Sequence, residues 1–335
     1  MKKALQIFLA LTALAALAEG LILIRIHIDA WRLAALLESV SLMLGGFVGL
    51  TQPAFIKQLR QWAADSAVAA GGLPFLLLAP YLIFGLGTRT FSVAALGRLI
   101  AYILAPTALL LPDRLRHREI LNWRDVLAMV ALAVPVSAGW LQGIWTWPQD
   151  IYIFRPIFCV LLGGYSFMVL RNLEGVGFRL LWRKRDITSG LLNLLAYTLL
   201  AIPLGLMLNF IHPHAMAPLT KGAVEAQGPV LNFLFLFIGI YLTVAIPEEF
   251  LFRGILQNIL SRSIKKGPRG VYGLLIASVV FGAAHLHHPP RPNWRYAILA
   301  TLAGIFYGNV YKTRQRLCAS ALTHALVDSI WHFWF

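Results

Sequence analysis

Residues 230–260 read VLNFLFLFIGIYLTVAIPEEFLFRGILQNIL, and within them only Glu248, Glu249 and Arg253 carry charge. At 1.5 Å per residue, ~20 apolar residues suffice to cross ~30 Å of hydrocarbon, so this run is long enough to span a bilayer as a helix. Working outward from it, apolar runs of similar length recur at 4–24, 33–50, 67–87, 91–111, 126–146, 152–170, 190–211, 271–288, 296–311 and 318–335. The weakest are 33–50, which holds Glu38, and the short 318–335. The whole chain of 335 residues is 59% hydrophobic and 13% charged, with a mean hydropathy of +0.72. A water-soluble domain of that length does not need such a balance. The expected fold is an all-α, polytopic transmembrane helix bundle of about eight to eleven spans.

A net charge of +15 raises the question of nucleic acid. That use requires basic residues gathered on a soluble face. Here they fall between the apolar runs instead: Lys2 and Lys3; Lys57 and Arg60; Arg114, Arg116 and Arg118; Arg179, Arg183, Lys184 and Arg185; Arg262, Lys265, Lys266 and Arg269; Lys312, Arg314 and Arg316. Every second connection is basic, while Trp147-Pro148-Gln149-Asp150 and the stretch 212–228 carry few positive charges. The positive-inside rule then places the basic side and the N-terminus in the cytoplasm. Arg25, Arg32, Arg89, Arg98, Arg291 and Arg295 run against the pattern. The partner expected is the lipid bilayer and not nucleic acid, in a multi-pass protein of the cytoplasmic membrane of a prokaryote. Met1-Lys2-Lys3 before an apolar run also fits a signal peptide, but Leu17-Ala18-Glu19-Gly20 is a poor cleavage site, which favours a retained first span. Cys159 and Cys318 show no metal-ligand spacing and read as small packing residues.

The two halves differ in what their apolar runs contain. Residues 1–180 form an N-terminal transmembrane region with no ionisable cluster at membrane depth beyond isolated cases such as Glu38, and nothing in the sequence assigns it a role. In residues 190–335, Glu248, Glu249, Arg253, His285, His324 and Asp328 all lie within apolar sequence. A charge there costs a few kcal/mol on insertion scales and is usually paired or functional.

Glu249 and Arg253 are four residues apart, on one helix face, close enough to neutralise each other. Glu248 points about 100° away and lacks that partner, which leaves one carboxylate free to act as a general base. In Phe281-Gly282-Ala283-Ala284-His285, the small residues let another helix approach closely and put His285 at an interhelical contact. In His324-Ala325-Leu326-Val327-Asp328 the spacing stacks imidazole and carboxylate on one face. Counted from Arg262, Arg269 and Arg316, Glu248 lies roughly 21 Å deep, Arg253 roughly 14 Å, His285 roughly 24 Å, His324 roughly 12 Å and Asp328 roughly 18 Å, one layer within the spread that helix tilt allows. His287 and His288, beside Pro289-Pro290, read as structural or solvated. His332, with Trp331 and Trp334, reads as an interfacial residue.

The order Glu-Glu-x-x-x-Arg, Phe-x-x-x-His, His-x-x-x-Asn/Asp resembles the CPBP family, also called the Abi family, of intramembrane glutamic proteases, which includes the type II CaaX prenyl endopeptidases. The likeness covers residues 190–335. It implies a peptidase acting on a membrane-associated peptide or protein without a cofactor. Carried over residue by residue, it implies that Glu248 and His285 activate water, that Arg253 holds Glu249, and that His324 and Asp328 stabilise the oxyanion. Many relatives have Asn where this chain has Asp328. An ionised carboxylate repels a developing oxyanion, so Asp328 must be protonated or must act indirectly by holding His324 as a donor.

Peptide hydrolysis requires a base for water, donors for the oxyanion and an acid for the leaving amine, and a buried Glu with two His supplies all three. Gly-x-Ser-x-Gly, His-Glu-x-x-His and Walker A sequences are absent. Two other readings use the same residues. One is a membrane metalloprotease with zinc on His285, His324 and a carboxylate of Glu248 or Asp328, weakened by the lack of a His-x-x-x-His pair. The other is a transporter or non-catalytic scaffold, weakened because the charged layer occurs in one half alone.

Overall fold

A computed structural model of the chain describes residues 29–116, 118–214, 228–264 and 269–335. The run 4–24, Lys2, Lys3, Arg25, the stretch 17–20, Lys265, Lys266 and most of 212–228 lie outside the described residues. Among those described, there is no strand. Six helices are long and apolar enough to cross a membrane: Ala30–Leu50, Ala67–Thr88, Val93–Asp113, Lys184–Met207, Val230–Ser263 and Gly270–His287. The protein is thus an all-α, polytopic integral membrane protein. Phe154–Leu170, Trp294–Arg314 and Leu317–Trp334 fall at the other expected runs.

The chain forms two compact units, one holding described residues up to Arg118 and Asn122–Glu174, the other Glu119–Leu121 and Gly175–Phe335. The first contains α1 (Ala30–Leu50), α2 (Pro53–Asp65), α3 (Ala67–Thr88), α4 (Val93–Leu110), α5 (Trp123–Ser137) and α6 (Phe154–Leu170), and it buries the ring of Trp145. That ring packs on Phe154, Phe158 and Tyr81 at 5.4, 6.0 and 6.3 Å. The run 126–146 does not continue as one helix. α5 stops at Ser137 because Gly139 takes φ 73° and Trp140 N donates to Pro135 O, a left-handed helix stop. α2 has only Ile56 and Ala63 buried, and its polar content hides it from a search for apolar runs. Arg171 donates to Asp125 at 2.7 Å and to Arg118 O at 2.7 Å, a fully buried pair 46 positions apart.

The second unit holds α7 (Lys184–Met207), α8 (Val230–Ser263), α9 (Arg269–Ala284), α10 (Trp294–Arg314) and α11 (Leu317–Trp334). An extended strap before α7 fixes where α10 ends and α11 begins. Tyr311 Oη donates to Gly175 O at 2.7 Å, Leu317 N to Gly177 O at 2.9 Å and Trp182 Nε1 to Cys318 O at 3.0 Å. Gly177 has φ 69° and lies against the Gln315 and Arg316 backbone where a side chain would collide, so glycine is required twice over. The buried carboxylate of Asp186 accepts from Arg314 at 3.0 Å and Arg316 at 2.8 Å. These bonds set the register of α11.

α8 changes winding around the acidic motif. Tyr241–Ala245 and Phe250–Gln257 are π-helical on either side of the α-helical Ile246–Glu249. Such turns are rare and cluster at functional sites, because the widened ladder re-aims side chains. α10 lies close to α9 at Gly282, where a Cβ would stand 2.5 Å from Ala297 O, and at Gly304, where a Cβ would stand 3.0 Å from Ser278 Cα. Of the small residues at 282–284, Gly282 makes the close approach, while Ala283 and Ala284 are exposed.

Candidate active site

The centre of the second unit is built from adjacent turns of α8, α9, α10 and α11. Glu249 and Arg253, both fully buried, meet at 3.3 Å across one turn of α8, the pairing their spacing predicts. Arg253 also donates to Gly304 O at 3.3 Å. Its guanidinium lies over the rings of Phe281, Tyr307 and Phe252 at 4.5, 5.5 and 5.9 Å. A charge in a bilayer is tolerated when it is enclosed in this way.

The other oxygen of Glu249 accepts a hydrogen bond from His324 Nδ1 at 3.0 Å. One carboxylate therefore ties α8 to α11. His324 is 2% exposed, its ring stacked on Tyr307 at 4.6 Å and 16° with Phe281 edge-on at 5.7 Å. Its Nε2 lies 3.4 Å from Asp328 Oδ2, the pair expected from the four-residue spacing, and 3.8 Å from Glu248 Oε2. The side chains of Glu248 and Asp328 are 34% and 27% exposed. Glu248 Oε2 has no hydrogen-bond partner. The adjacent carboxylates differ: Glu249 is fully buried and paired with both His324 and Arg253, whereas the Glu248 side chain is partly exposed with its Oε2 buried and free of any hydrogen bond.

His285 stands at the end of α9, half-buried. Its Nδ1 is 2.8 Å from Phe281 O. A carbonyl only accepts, so Nδ1 carries the proton and the neutral ring leaves the Nε2 lone pair available. The imidazole packs edge-on against Phe281 at 4.7 Å and Tyr296 at 4.6 Å. Phe281 touches both imidazoles and so holds His285 and His324 around one ring. Among the described residues no ion pair joins Glu248 to His285; the imidazole within 4 Å of Glu248 is His324.

All six residues singled out by the sequence occur in this one region, linked by direct contact except for His285, which is linked to His324 and Arg253 through Phe281. His287 is exposed and His288 stacks between His285 and Tyr296, at 5.7 and 5.1 Å. Tyr296, Tyr307 and Gly304 escaped the sequence reading, since aromatic and glycine residues in an apolar helix carry no mark that separates site from packing.

Among the described residues no group of three or more His, Cys, Asp and Glu is placed to hold a metal ion.

Residues 230–330 match the family described as Rce1-like, type II CAAX prenyl endopeptidase Rce1-like. The matched segment contains all three motifs, and its likeness is to a membrane endopeptidase of the CAAX type. Neither the curated proteins nor the solved structures contain a match to the chain.

Proposed function

We propose that the chain is an intramembrane glutamic endopeptidase whose chemistry resides in residues 190–335 and which hydrolyses a peptide bond of a membrane-associated substrate. The observation that carries the proposal is the division between Glu249, locked by His324 and Arg253, and Glu248, open beside it. A locked carboxylate organises a site; an open one takes a proton.

In the proposed reaction a water molecule lies between Glu248 and the free Nε2 of His285. Glu248 removes a proton as the water oxygen adds to the scissile carbonyl carbon, and His285 accepts a hydrogen bond from the same water. The tetrahedral oxyanion is met by the Nε2 proton of His324. The carboxylate oxygens now facing it, at 3.4 and 3.8 Å, are distant enough to yield to a closer acceptor. Asp328 then acts indirectly, keeping His324 a donor while Glu249 fixes the other nitrogen. The proton taken by Glu248 passes to the amine as the C–N bond breaks, which returns the carboxylate to its starting state. No metal is used. The ends of α7, α10 and α11 that carry Lys184, Arg314 and Arg316 face the cytoplasm of a prokaryotic cell, by the positive-inside rule.

The test uses the full chain in liposomes with three reporter peptides: one with a farnesylated CaaX tail, its unprenylated twin, and a hydrophobic leader-type peptide. Cleavage of at least one at a single bond, with one atom of oxygen-18 from labelled water in the new carboxyl terminus, is expected. Intact reporters in all three cases overturn the proposal. The pattern of cleavage assigns the substrate class.

A further inference from the structure

Sites that stabilise a tetrahedral oxyanion place more than one donor around it. In this cluster His324 offers one, and Asp328, which in the proposed reaction acts through His324, offers none. A second donor is therefore to be sought near Asp328, Glu248 and His285, and it must be accessible to substrate.

Three tyrosines border that space. Tyr307 is 1% exposed and stacked on His324, a sealed packing partner. Tyr197, on α7, packs on Phe306 at 5.9 Å and on Tyr307 at 6.5 Å, and among the described residues no ring contact joins it to His285. Tyr296 combines the required properties. It is half-buried, and its ring lies edge-on at 4.6 Å from that of His285, the imidazole that binds the attacking water in the proposed reaction.

The position of Tyr296 is also fixed. It sits in the first turn of α10, where the buried side chain of Asn293 accepts from Tyr296 N at 3.0 Å and donates to Pro289 O at 3.0 Å. Away from His285, the ring is held by His288, Phe210 and Trp331 at 5.1, 5.3 and 5.6 Å. A donor clamped before substrate arrives loses little freedom when the oxyanion forms.

We infer that Tyr296 is a catalytic residue whose hydroxyl donates a hydrogen bond to the oxyanion, supplying the donor that Asp328 does not. The inference rests on the reading of Glu248 as the base. A free phenol ionises near pH 10, so it is a neutral donor in the pH range where an ionised carboxylate is only an acceptor. No proton is transferred and no bond to Tyr296 forms; the hydroxyl stabilises charge that exists only in the intermediate.

The experiment compares the unmodified chain with Tyr296→Phe and Glu248→Gln on the reporter that the unmodified chain cleaves. Tyr296→Phe removes one oxygen and keeps the ring packing, so the melting temperature in detergent is expected to stay close to that of the unmodified chain. Loss of one oxyanion donor lowers kcat about 100-fold or more with little change in KM. Affinity for a phosphinate analogue of the same peptide should fall in parallel with kcat/KM. Unchanged kcat in Tyr296→Phe with an inactive Glu248→Gln overturns this inference alone. An active Glu248→Gln, or no cleavage of any reporter by the unmodified chain, overturns the reading beneath it as well. Equal loss of affinity for the phosphinate and for the uncleaved peptide makes Tyr296 a binding residue and also overturns the inference. Should Tyr296→Phe unfold, 3-fluorotyrosine incorporated at position 296 gives a second test. Its phenol is a more acidic and therefore stronger hydrogen-bond donor, so kcat and affinity for the phosphinate should shift together; both unchanged contradicts the inference.

Discussion

Glu249 Oε1 accepts from His324 Nδ1 at 3.0 Å while Glu249 Oε2 lies 3.3 Å from Arg253 Nε. A single buried carboxylate thereby joins an imidazole 75 positions away to a guanidinium one turn away, and fixes α11 against α8. This leaves Glu248 as the carboxylate without structural duties.

Arg253→Met strips the guanidinium from a buried carboxylate, and breaking a buried pair from one side costs about 3–5 kcal/mol. The expected result is a marked drop in melting temperature in detergent together with loss of cleavage. Glu248→Gln, altering a side chain that is 34% exposed, should melt close to the unmodified chain. Equal destabilisation by the two changes would contradict the division of roles.

Gly282→Ala tests the approach of α10 to α9. The new methyl would stand 2.5 Å from Ala297 O and against the Thr301 side chain, and neither backbone yields cheaply. Overpacking of this kind costs about 1–3 kcal/mol. Because His285 lies three residues on, cleavage should fall along with stability, read by melting temperature and initial rate. A variant with unchanged melting and rate would show that the helices are not held at this spacing.

Chelation separates the glutamic mechanism from a metal-dependent one. Dialysis of the purified chain against a strong chelator should leave the cleavage rate unchanged, since the proposed reaction uses no metal and no group of three or more His, Cys, Asp and Glu is placed to hold one among the described residues. Loss of activity that added zinc restores would reverse that conclusion.

What the sequence makes legible is whatever a helix repeat encodes. Glu249 with Arg253, and His324 with Asp328, follow from a four-residue spacing, and both pairs meet in the structure. The apolar runs are legible from length and composition alone. What is hidden depends on tertiary pairing or on local winding. No repeat links Glu249 to His324. The π turns flanking Ile246–Glu249 leave no trace in a pattern read at 3.6 residues per turn. Pro135 and Gly139 stop a helix within an apolar run that composition reads as continuous, and α2 is too polar to be noticed. Tyr296 and Tyr307 look like packing until their neighbours are known.

The most direct measurement is the initial rate of reporter cleavage by Glu248→Gln in liposomes, alongside its melting temperature. Removing the general base while keeping the side-chain shape should cut kcat by about 100-fold or more in a protein that melts close to the unmodified chain. A folded Glu248→Gln variant that cleaves at the unmodified rate would contradict the assignment of Glu248 as the base.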